Sequence, residues 1–449
     1  MIHVVGIGRR HRARHCGMRV GYEAPSESAL FGDGRLYVHT GDRLHSVHHV
    51  LAFDWAAEPD GVAHRNVQAD RQLAVDALSG KVNPLMKERI SVKQMTILVM
   101  FTIVGDTIIF IPAQTAAIAK QDSLLSACLS LLLGLGIGWI IWRLSLLLEN
   151  SSFFEFNRSL LGKWIGSCIF GCYLFYFLLT GAAVVRNIGN FLVTHIMPQT
   201  PIRALLFILL ITIVWTMKHG LETIARSGEL LFPLAAVLFV MLIAFLLPDF
   251  NWSNMMPVLG EGVSPVLFGG IVTSGVTYGE LIVIVMILPL VKREKNKKRD
   301  FFLGIALGGV VLTTITGVSI LVLGQYLTSK HIYPSYAMAR KISIGHFLER
   351  MEVILAINWI ITSFFKSVIY YYGFVTGLSQ WVKVPDYRLL IFPCAFLIYG
   401  ISFLLAPNVV YFNLIGFKYW PYWDMTMAVL LPLALLAIHA VKRKKRLPA

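Results

Sequence analysis

Long apolar runs recur along this sequence, and they restrict the chain to folds that a lipid bilayer can solvate. A helix needs about 20 apolar residues to cross a bilayer. Ten runs approach or exceed this length, near residues 94–119, 123–148, 164–194, 202–217, 221–247, 265–291, 301–326, 350–378, 388–406 and 422–441. Charged residues make up only 14% of the chain, compared with about a quarter in soluble domains. The sequence therefore predicts an all-α integral membrane protein with ten transmembrane helices, called spans 1 to 10 below.

Basic residues are concentrated in alternate connections between these spans. The connection between spans 6 and 7 contains the basic run 292–299, and the C-terminal tail contains Lys442 to Arg446. Because Lys and Arg accumulate in cytoplasmic loops, an even number of spans with these blocks inside places both termini in the cytoplasm. The net charge of +15 is therefore explained by topology and by contact with the lipid bilayer, whose inner surface is anionic, so nucleic acid is not an expected partner.

The first 85 residues differ in composition from the rest of the chain. Residues 1–80 contain nine Arg, no Lys and nine acidic residues. No helical or strand period persists there, and no apolar core of a signal peptide is present. We expect residues 1–85 to be a disordered extension, and residues 86–449 to be the membrane domain. The abrupt change in Lys usage suggests a natural start at Met86.

Spans 1 and 6 each contain an interruption near the middle, Val104-Gly105-Asp106-Thr107 in span 1 and residues 273–280 in span 6. Since these spans are five apart, the sequence predicts a five-plus-five inverted repeat, in which broken helices expose backbone groups that bind a small ligand at the membrane midplane. The candidate ligand-binding residues are Val104, Gly105, Asp106, Thr107, Thr273, Ser274, Gly275, Thr277 and Tyr278. The alternative is a pair of glycine-kinked helices that pack together without a binding site.

Three ionisable residues are predicted to lie near the middle of the membrane: Asp106 and Glu280 on the two interruptions, and Lys366 in span 8. Arg143, Arg186 and Glu229 are predicted to lie nearer the ends of their spans. A charge near the bilayer centre costs several kcal/mol, so it usually has a partner or a function. We expect Lys366 to neutralise Asp106 and to brace the broken span, either as part of a binding site or as a static ion pair. The spans contain no nucleophile–base set and no His/Glu metal motif, so the sequence predicts neither an enzyme nor a metal or cofactor.

Four passages of the sequence match the pattern of one family. They are Ile90 to Gln94 leading into Gly105 and Ile111-Pro112, Tyr278-Gly279-Glu280 with Pro289, the run from Ile342 to Glu352, and Trp359 to Lys366. From Met86 to the end, the chain resembles the endospore germination permeases, the B subunits of nutrient germinant receptors. These permeases belong to the amino acid–polyamine–organocation transporter superfamily.

The resemblance implies a LeuT-like fold of ten helices in the spore inner membrane, with an A subunit and a lipoprotein C subunit as partners. It implies binding of a small-molecule germinant, commonly an amino acid, at the residues of the two interruptions. It also makes Glu280 a candidate proton site or gate latch. The alternative function is a secondary transporter that couples amino acid uptake to protons, with Glu280 titrating.

Overall fold

The computed structural model describes residues 28–32, 35–40, 43–46, 88–148, 151–341 and 352–446. The chain divides into two units, Met1–Val82 and Asn83–Ala449. In the first unit, three short strands form an antiparallel sheet in the order β1-β2-β3: β1 (Ser28–Gly32), β2 (Arg35–Thr40) and β3 (Arg43–Ser46). Met86 lies outside the described residues, and the prediction of an extension with a later natural start stays a prediction.

The second unit is helical. Its α-helices are α1 (Val92–Val104), α2 (Thr107–Ala119), α3 (Ser123–Leu146), α4 (Phe153–Leu161), α5 (Lys163–Phe191), α6 (Ile202–Lys218), α7 (Leu221–Leu246), α8 (Val263–Gly279), α9 (Lys297–Lys330), α10 (Pro334–Ala339), α11 (Glu352–Val382), α12 (Ile391–Leu404), α13 (Val409–Lys418), α14 (Trp420–Met425) and α15 (Leu431–Arg446). Shorter 3₁₀ and π segments join several of them, including a 3₁₀ helix at Glu280–Met286 and π-helical turns at Leu192–Ile196 and Thr426–Leu430.

The helices account for the predicted membrane spans. Among the described residues, eight helical segments are long and apolar enough to cross a membrane. One of these segments, Thr107–Leu146, contains both α2, the second half of predicted span 1, and α3, which is predicted span 2. Two helices are shorter than the eight segments: α6, which is predicted span 4, has 17 residues, and α1, the first half of predicted span 1, has 13. The all-helical membrane fold with a broken span 1 is therefore confirmed, and α13 is an additional short helix between spans 9 and 10.

Span 1 breaks between α1 and α2, at Gly105 and Asp106. α1 begins with a capping box, in which Ser91 and Gln94 each accept a hydrogen bond from the other's backbone N–H. At the break, the Thr107 hydroxyl donates to the carbonyl oxygens of Ile103 and Val104, at 2.6 and 2.9 Å. A freed backbone group in a membrane must find a partner within the protein. Thr107 supplies one at the break itself.

Span 6 departs from α-helical geometry later than its sequence suggests. The predicted interruption covers residues 273–280, but α8 continues through Gly279, and the backbone tightens into the 3₁₀ helix from Glu280. The glycines of this run serve close packing: a Cβ on Gly275 would lie 3.0 Å from the carbonyl oxygen of Pro421. The break therefore begins at the acidic residue and not at the Thr/Ser/Gly cluster before it.

Helix packing brings the two interruptions together at the centre of the membrane domain. α1 and α2 pack against α9, while α3 packs against α8. α11, which is span 8, contacts α1, the 3₁₀ helix of span 6 and α5. Residues from spans 1, 3, 6, 8 and 10 consequently meet in one buried region.

Candidate functional site

Lys366 lies between the two carboxylates of the broken spans. Its ammonium is fully buried, with Nζ 2.7 Å from Oδ1 of Asp106, and it also forms an ion pair with Oε2 of Glu280. Gly105 makes this approach possible, since a Cβ at that position would overlap Cδ of Lys366. The structure thus brings together the three ionisable residues that the sequence placed near the middle of the membrane, and one ammonium pairs with both carboxylates.

Neighbouring side chains complete the hydrogen bonding of the broken span. Asn187 Nδ2 donates to Oδ2 of Asp106 at 3.2 Å. Trp359 Nε1 donates to the Asp106 carbonyl oxygen at 3.2 Å, and the Thr362 hydroxyl donates to the Gly105 carbonyl oxygen at 3.0 Å. Span 8 therefore supports the break through an indole, a hydroxyl and an ammonium, so the irregular backbone is held in a fixed arrangement.

Glu280 is fixed in a similar way at the start of the 3₁₀ helix. Trp420 Nε1 donates to its Oε1 at 3.3 Å, and the Tyr370 hydroxyl donates to its backbone oxygen at 2.6 Å. Glu280 is 4% exposed. The Glu280 carboxylate therefore links spans 8 and 10, because Lys366 of span 8 and Trp420 of α14 both contact it.

A third acidic residue, Asp424 in α14, lies next to this group. It is fully buried, and its Oδ1 accepts a hydrogen bond from the Tyr176 hydroxyl at 2.8 Å. Its Oδ2 has no hydrogen-bond partner among the described residues. A Cβ on Gly279 would lie 2.9 Å from Cβ of Asp424, so α14 packs directly on the end of α8. Sequence reasoning missed Asp424, because it stands at the edge of the last apolar run and resembles a residue at the membrane surface.

The charges of this region do not balance. Three buried carboxylates, on Asp106, Glu280 and Asp424, accompany one buried ammonium, on Lys366. An uncompensated charge in a low-dielectric environment is strongly unfavourable. The site therefore has the chemistry to attract a proton or the positively charged group of a ligand.

A small cavity of about 60 Å³ adjoins the carboxylates. A buried water needs roughly 15 Å³ of such space, so the cavity has room for a molecule of only a few non-hydrogen atoms. Its walls include Asp106, Asn187, Val276, Glu280, Asn413 and Phe417. The last two belong to α13, the helix that the sequence did not predict, which closes one side of the cavity.

Most of the predicted ligand-binding residues lie outside the cavity wall. Of the nine, only Asp106 lines it, and span 6 contributes Val276 and Glu280 to the wall instead of the predicted residues. Thr273 Oγ1 lies 3.1 Å from Thr115 Oγ1, and the Ser274 hydroxyl donates to its own helix at Ile271. These hydroxyls are used in packing between helices and within a helix.

The remaining predicted residues are also part of the packed interior. Val104, Thr107 and Thr277 are each at most 3% exposed. The Tyr278 ring packs where Gly134 of α3 and Gly309 of α9 leave room, since a Cβ on Gly134 would lie 2.5 Å from the ring. Span 6 therefore presents one face to the cavity, through Val276 and Glu280, and buries the rest of the run.

A family model described as "Spore germination protein" matches residues 89–410. The chain belongs to this spore germination protein family. The match covers both broken spans and all three charges of the Asp106–Lys366–Glu280 group. Most of the Ile342 to Glu352 passage, residues 342–351, lies outside the described residues.

Two relatives in this spore germination family span most of the chain. Spore germination protein KB of Bacillus subtilis (strain 168) is 28% identical over 366 residues, covering 80% of this chain and 97% of that protein. Spore germination protein GerLB of Bacillus cereus is 25% identical over 376 residues, covering 80% of this chain and 96% of that protein. The similarity therefore extends over nearly the full length of both relatives.

The fold of this spore germination protein is similar to that of a solved structure. The crystal structure of MhsT in complex with L-phenylalanine matches with a TM-score of 0.56 at 14% sequence identity, over 79% of this chain and 99% of that one. At this identity the likeness shows the fold alone. It is consistent with the LeuT-like architecture and the broken spans.

Proposed function

We propose that this protein is the membrane subunit of a nutrient germinant receptor in the spore inner membrane, and that it binds a small amino acid at the Asp106–Lys366–Glu280 group. This proposal rests on the excess of buried carboxylates beside a small cavity in a spore germination protein. Germinant binding is the input, and partner subunits of A and C type receive the signal. Both termini are on the cytoplasmic side in this proposal.

The ligand's ammonium group supplies the missing positive charge. Asp106 and Glu280 line the cavity and share a single ammonium, so a second cation completes their electrostatic environment. The wall offers a donor for the ligand's carboxylate as well. Asn413 Nδ2 is buried without a hydrogen-bond partner among the described residues, and Asn413 lines the same cavity. A zwitterion of a few non-hydrogen atoms satisfies both requirements.

Binding acts by shifting a population of conformations. The cavity wall combines the span 1 break, span 6 and α13. A ligand that contacts all three stabilises the arrangement in which they are together, and it shifts the equilibrium by its differential affinity for that arrangement. Since α13 connects spans 9 and 10, this change reaches the surface of the domain, where partner subunits bind.

A proton-coupled amino acid transporter is the second candidate, and the same charge excess favours it. Glu280 and Asp424 are buried acids that a proton neutralises as well as an ammonium does. Uptake of an amino acid driven by a pH gradient, measured with the purified chain in proteoliposomes, separates the two. Accumulation of the amino acid supports transport, and its absence in a chain that supports germination supports sensing.

The cavity is tested by filling it without disturbing packing. Gly416 lines the cavity, and a Cβ there meets no atom within 4 Å. Gly416→Leu should raise the amino acid concentration needed for half-maximal spore germination by roughly tenfold or more, equivalent to about 1.4 kcal/mol of binding energy. Gly400→Leu is the matched control, because a Cβ at Gly400 in α12 also meets open space and this residue does not line the cavity. An unchanged response in Gly416→Leu spores would show that the germinant binds elsewhere.

A further inference from the structure

A second, larger cavity opens at the opposite end of the membrane domain from the starts of α1 and α9. Its volume is about 500 Å³, within the roughly 300–1,000 Å³ of small-molecule sites. The end of α9, the following loop, α10 and the π-helical turn after α5 form its walls. Gly324 has φ 75° and ψ 167°, a backbone conformation that glycine adopts readily. This kink redirects the end of α9 toward the cavity.

Several basic side chains are grouped in the wall of this otherwise largely apolar cavity. Lys330, His331, Arg340 and Lys341 line it and are exposed, and His195 lines it from span 3. Over the described ranges 88–148, 151–341 and 352–446, no Asp or Glu lines the cavity. None of the four exposed residues forms a salt bridge with a carboxylate in those ranges.

One residue of the cavity wall carries a buried hydroxyl. Tyr333 lines the cavity and is 4% exposed, and its hydroxyl has no hydrogen-bond partner within the described part of the chain. A buried hydroxyl without a partner carries a free-energy cost of about 1–3 kcal/mol. An anion bound against Tyr333 would supply the acceptor that this hydroxyl lacks.

The cavity is separated from the Asp106–Lys366–Glu280 group by aromatic rings. The Phe191 ring lies 5.4 Å from the Tyr333 ring and 4.5 Å from the Trp359 ring, between centroids. Trp359 in turn donates to the Asp106 carbonyl oxygen. The two cavities are therefore distinct, with opposite charge: carboxylates at the small one and cations at the large one.

We propose that this basic cavity binds a small soluble dianion, a dicarboxylate or inorganic phosphate. Several cations without a carboxylate in the described lining favour a multiply charged anion, because the ammonium of a zwitterionic amino acid has no carboxylate partner there and is repelled by the cations. The site is independent of the germinant site proposed above, in both location and ligand chemistry.

The test measures binding of succinate and of inorganic phosphate by isothermal titration calorimetry, using the full chain in nanodiscs of neutral phosphatidylcholine. The double variant Lys330→Gln/Arg340→Gln should weaken binding by up to about fivefold for each charge removed, since an exposed charge pair contributes at most about 1 kcal/mol. Tyr333→Phe, which changes no charge, should weaken binding about threefold or more through the lost hydrogen bond. Arg443→Gln is the control, because Arg443 is an exposed cation near the C-terminus that lies outside the cavity wall.

Saturable binding that the double variant and Tyr333→Phe both weaken, and that Arg443→Gln leaves unchanged, supports the site. The absence of saturable binding to the original chain overturns it. Equal losses in Arg443→Gln overturn it too, since they indicate a general effect of net charge. Association that appears only when anionic phosphatidylglycerol is added to the nanodisc assigns the patch to the lipid surface and also overturns the proposal.

Discussion

Replacement of Lys366 by Met tests whether one ammonium holds the centre of the membrane domain together. The substitution keeps a long side chain but removes the only cation beside Asp106 and Glu280 in the described structure. The residues Asp106 and Glu280 are at most 8% exposed, so bulk solvent does not screen their carboxylates. Breaking a buried ion pair by removing one member typically costs about 3–5 kcal/mol. We expect Lys366→Met to lower the free energy of unfolding by an amount in this range.

The assay is equilibrium unfolding of the purified protein in mixed detergent micelles, followed by tryptophan fluorescence. The matched control is Lys93→Met. Lys93 Nζ lies 2.8 Å from Oε1 of Glu229, a similar distance, but the Lys93 side chain is 73% exposed. Solvent screening makes such surface pairs contribute little, so Lys93→Met should leave the unfolding curve nearly unchanged.

A second comparison separates charge from packing. The triple variant Asp106→Asn/Glu280→Gln/Lys366→Met is neutral, and it should recover at least half of the stability that Lys366→Met loses. If Lys366→Met costs less than about 1 kcal/mol, the ammonium is not the counter-ion of these carboxylates. If the triple variant is as unstable as the single one, the loss comes from packing and the electrostatic reasoning is refuted.

Two further predictions concern neighbouring residues, each measured by the same unfolding assay. Asp424→Asn keeps the acceptor for the Tyr176 hydroxyl and removes an unpaired charge, so stability should fall by less than about 1 kcal/mol or rise; a loss of about 3 kcal/mol would mean that the anion itself is required. Gly105→Ala adds a Cβ that overlaps the Lys366 side chain, and we expect a loss of about 1–3 kcal/mol from overpacking. Gly136→Ala is its control, because a Cβ there meets open space and should stabilise α3 by up to about 1 kcal/mol; equal losses in both variants would contradict the assigned contact.

The break in span 1 was predictable from the sequence because several local signals agree there. A glycine, a carboxylate and a threonine follow one another in the middle of an apolar run. The carboxylate needs a partner in lipid, and Lys366 was an intramembrane cation available to it. Each signal is a property of single residues and of membrane depth, so no tertiary information was needed.

The details of span 6 were less predictable, because the same residue types serve two purposes in a membrane bundle. Gly275 and Gly279 resemble helix breakers, but they allow α14 to approach α8 closely. Ser274 resembles a ligand-binding group, but its hydroxyl bonds to its own helix at Ile271. Only the packing of span 10 against span 6 decides between these uses, and periodicity within one span does not report it.

Asp424 and α13 were missed for a related reason. The apolar run of span 10 starts near residue 422, so a carboxylate at 424 resembles a residue at the membrane surface. Its burial depends on Tyr176 of span 3 and on Gly279 of span 6, which are distant in sequence. The ten residues of α13 are too few to register as a span, yet they close the small cavity.

The excess of carboxylates over the Lys366 ammonium at the centre of the membrane domain has an electrical consequence. A rearrangement that carries one elementary charge across the full transmembrane voltage performs work of about 2.3 kcal/mol per 100 mV. The carboxylates of spans 1, 6 and 10 carry a formal excess of negative charge over Lys366. If ligand binding moves these spans through the membrane field, the response to germinant depends on voltage as well as on concentration. This dependence is tested in proteoliposomes whose membrane potential is fixed with potassium and valinomycin, by measuring the amino acid concentration at half-saturation. An unchanged half-saturation concentration across 100 mV would show that the charges stay at one depth in the membrane.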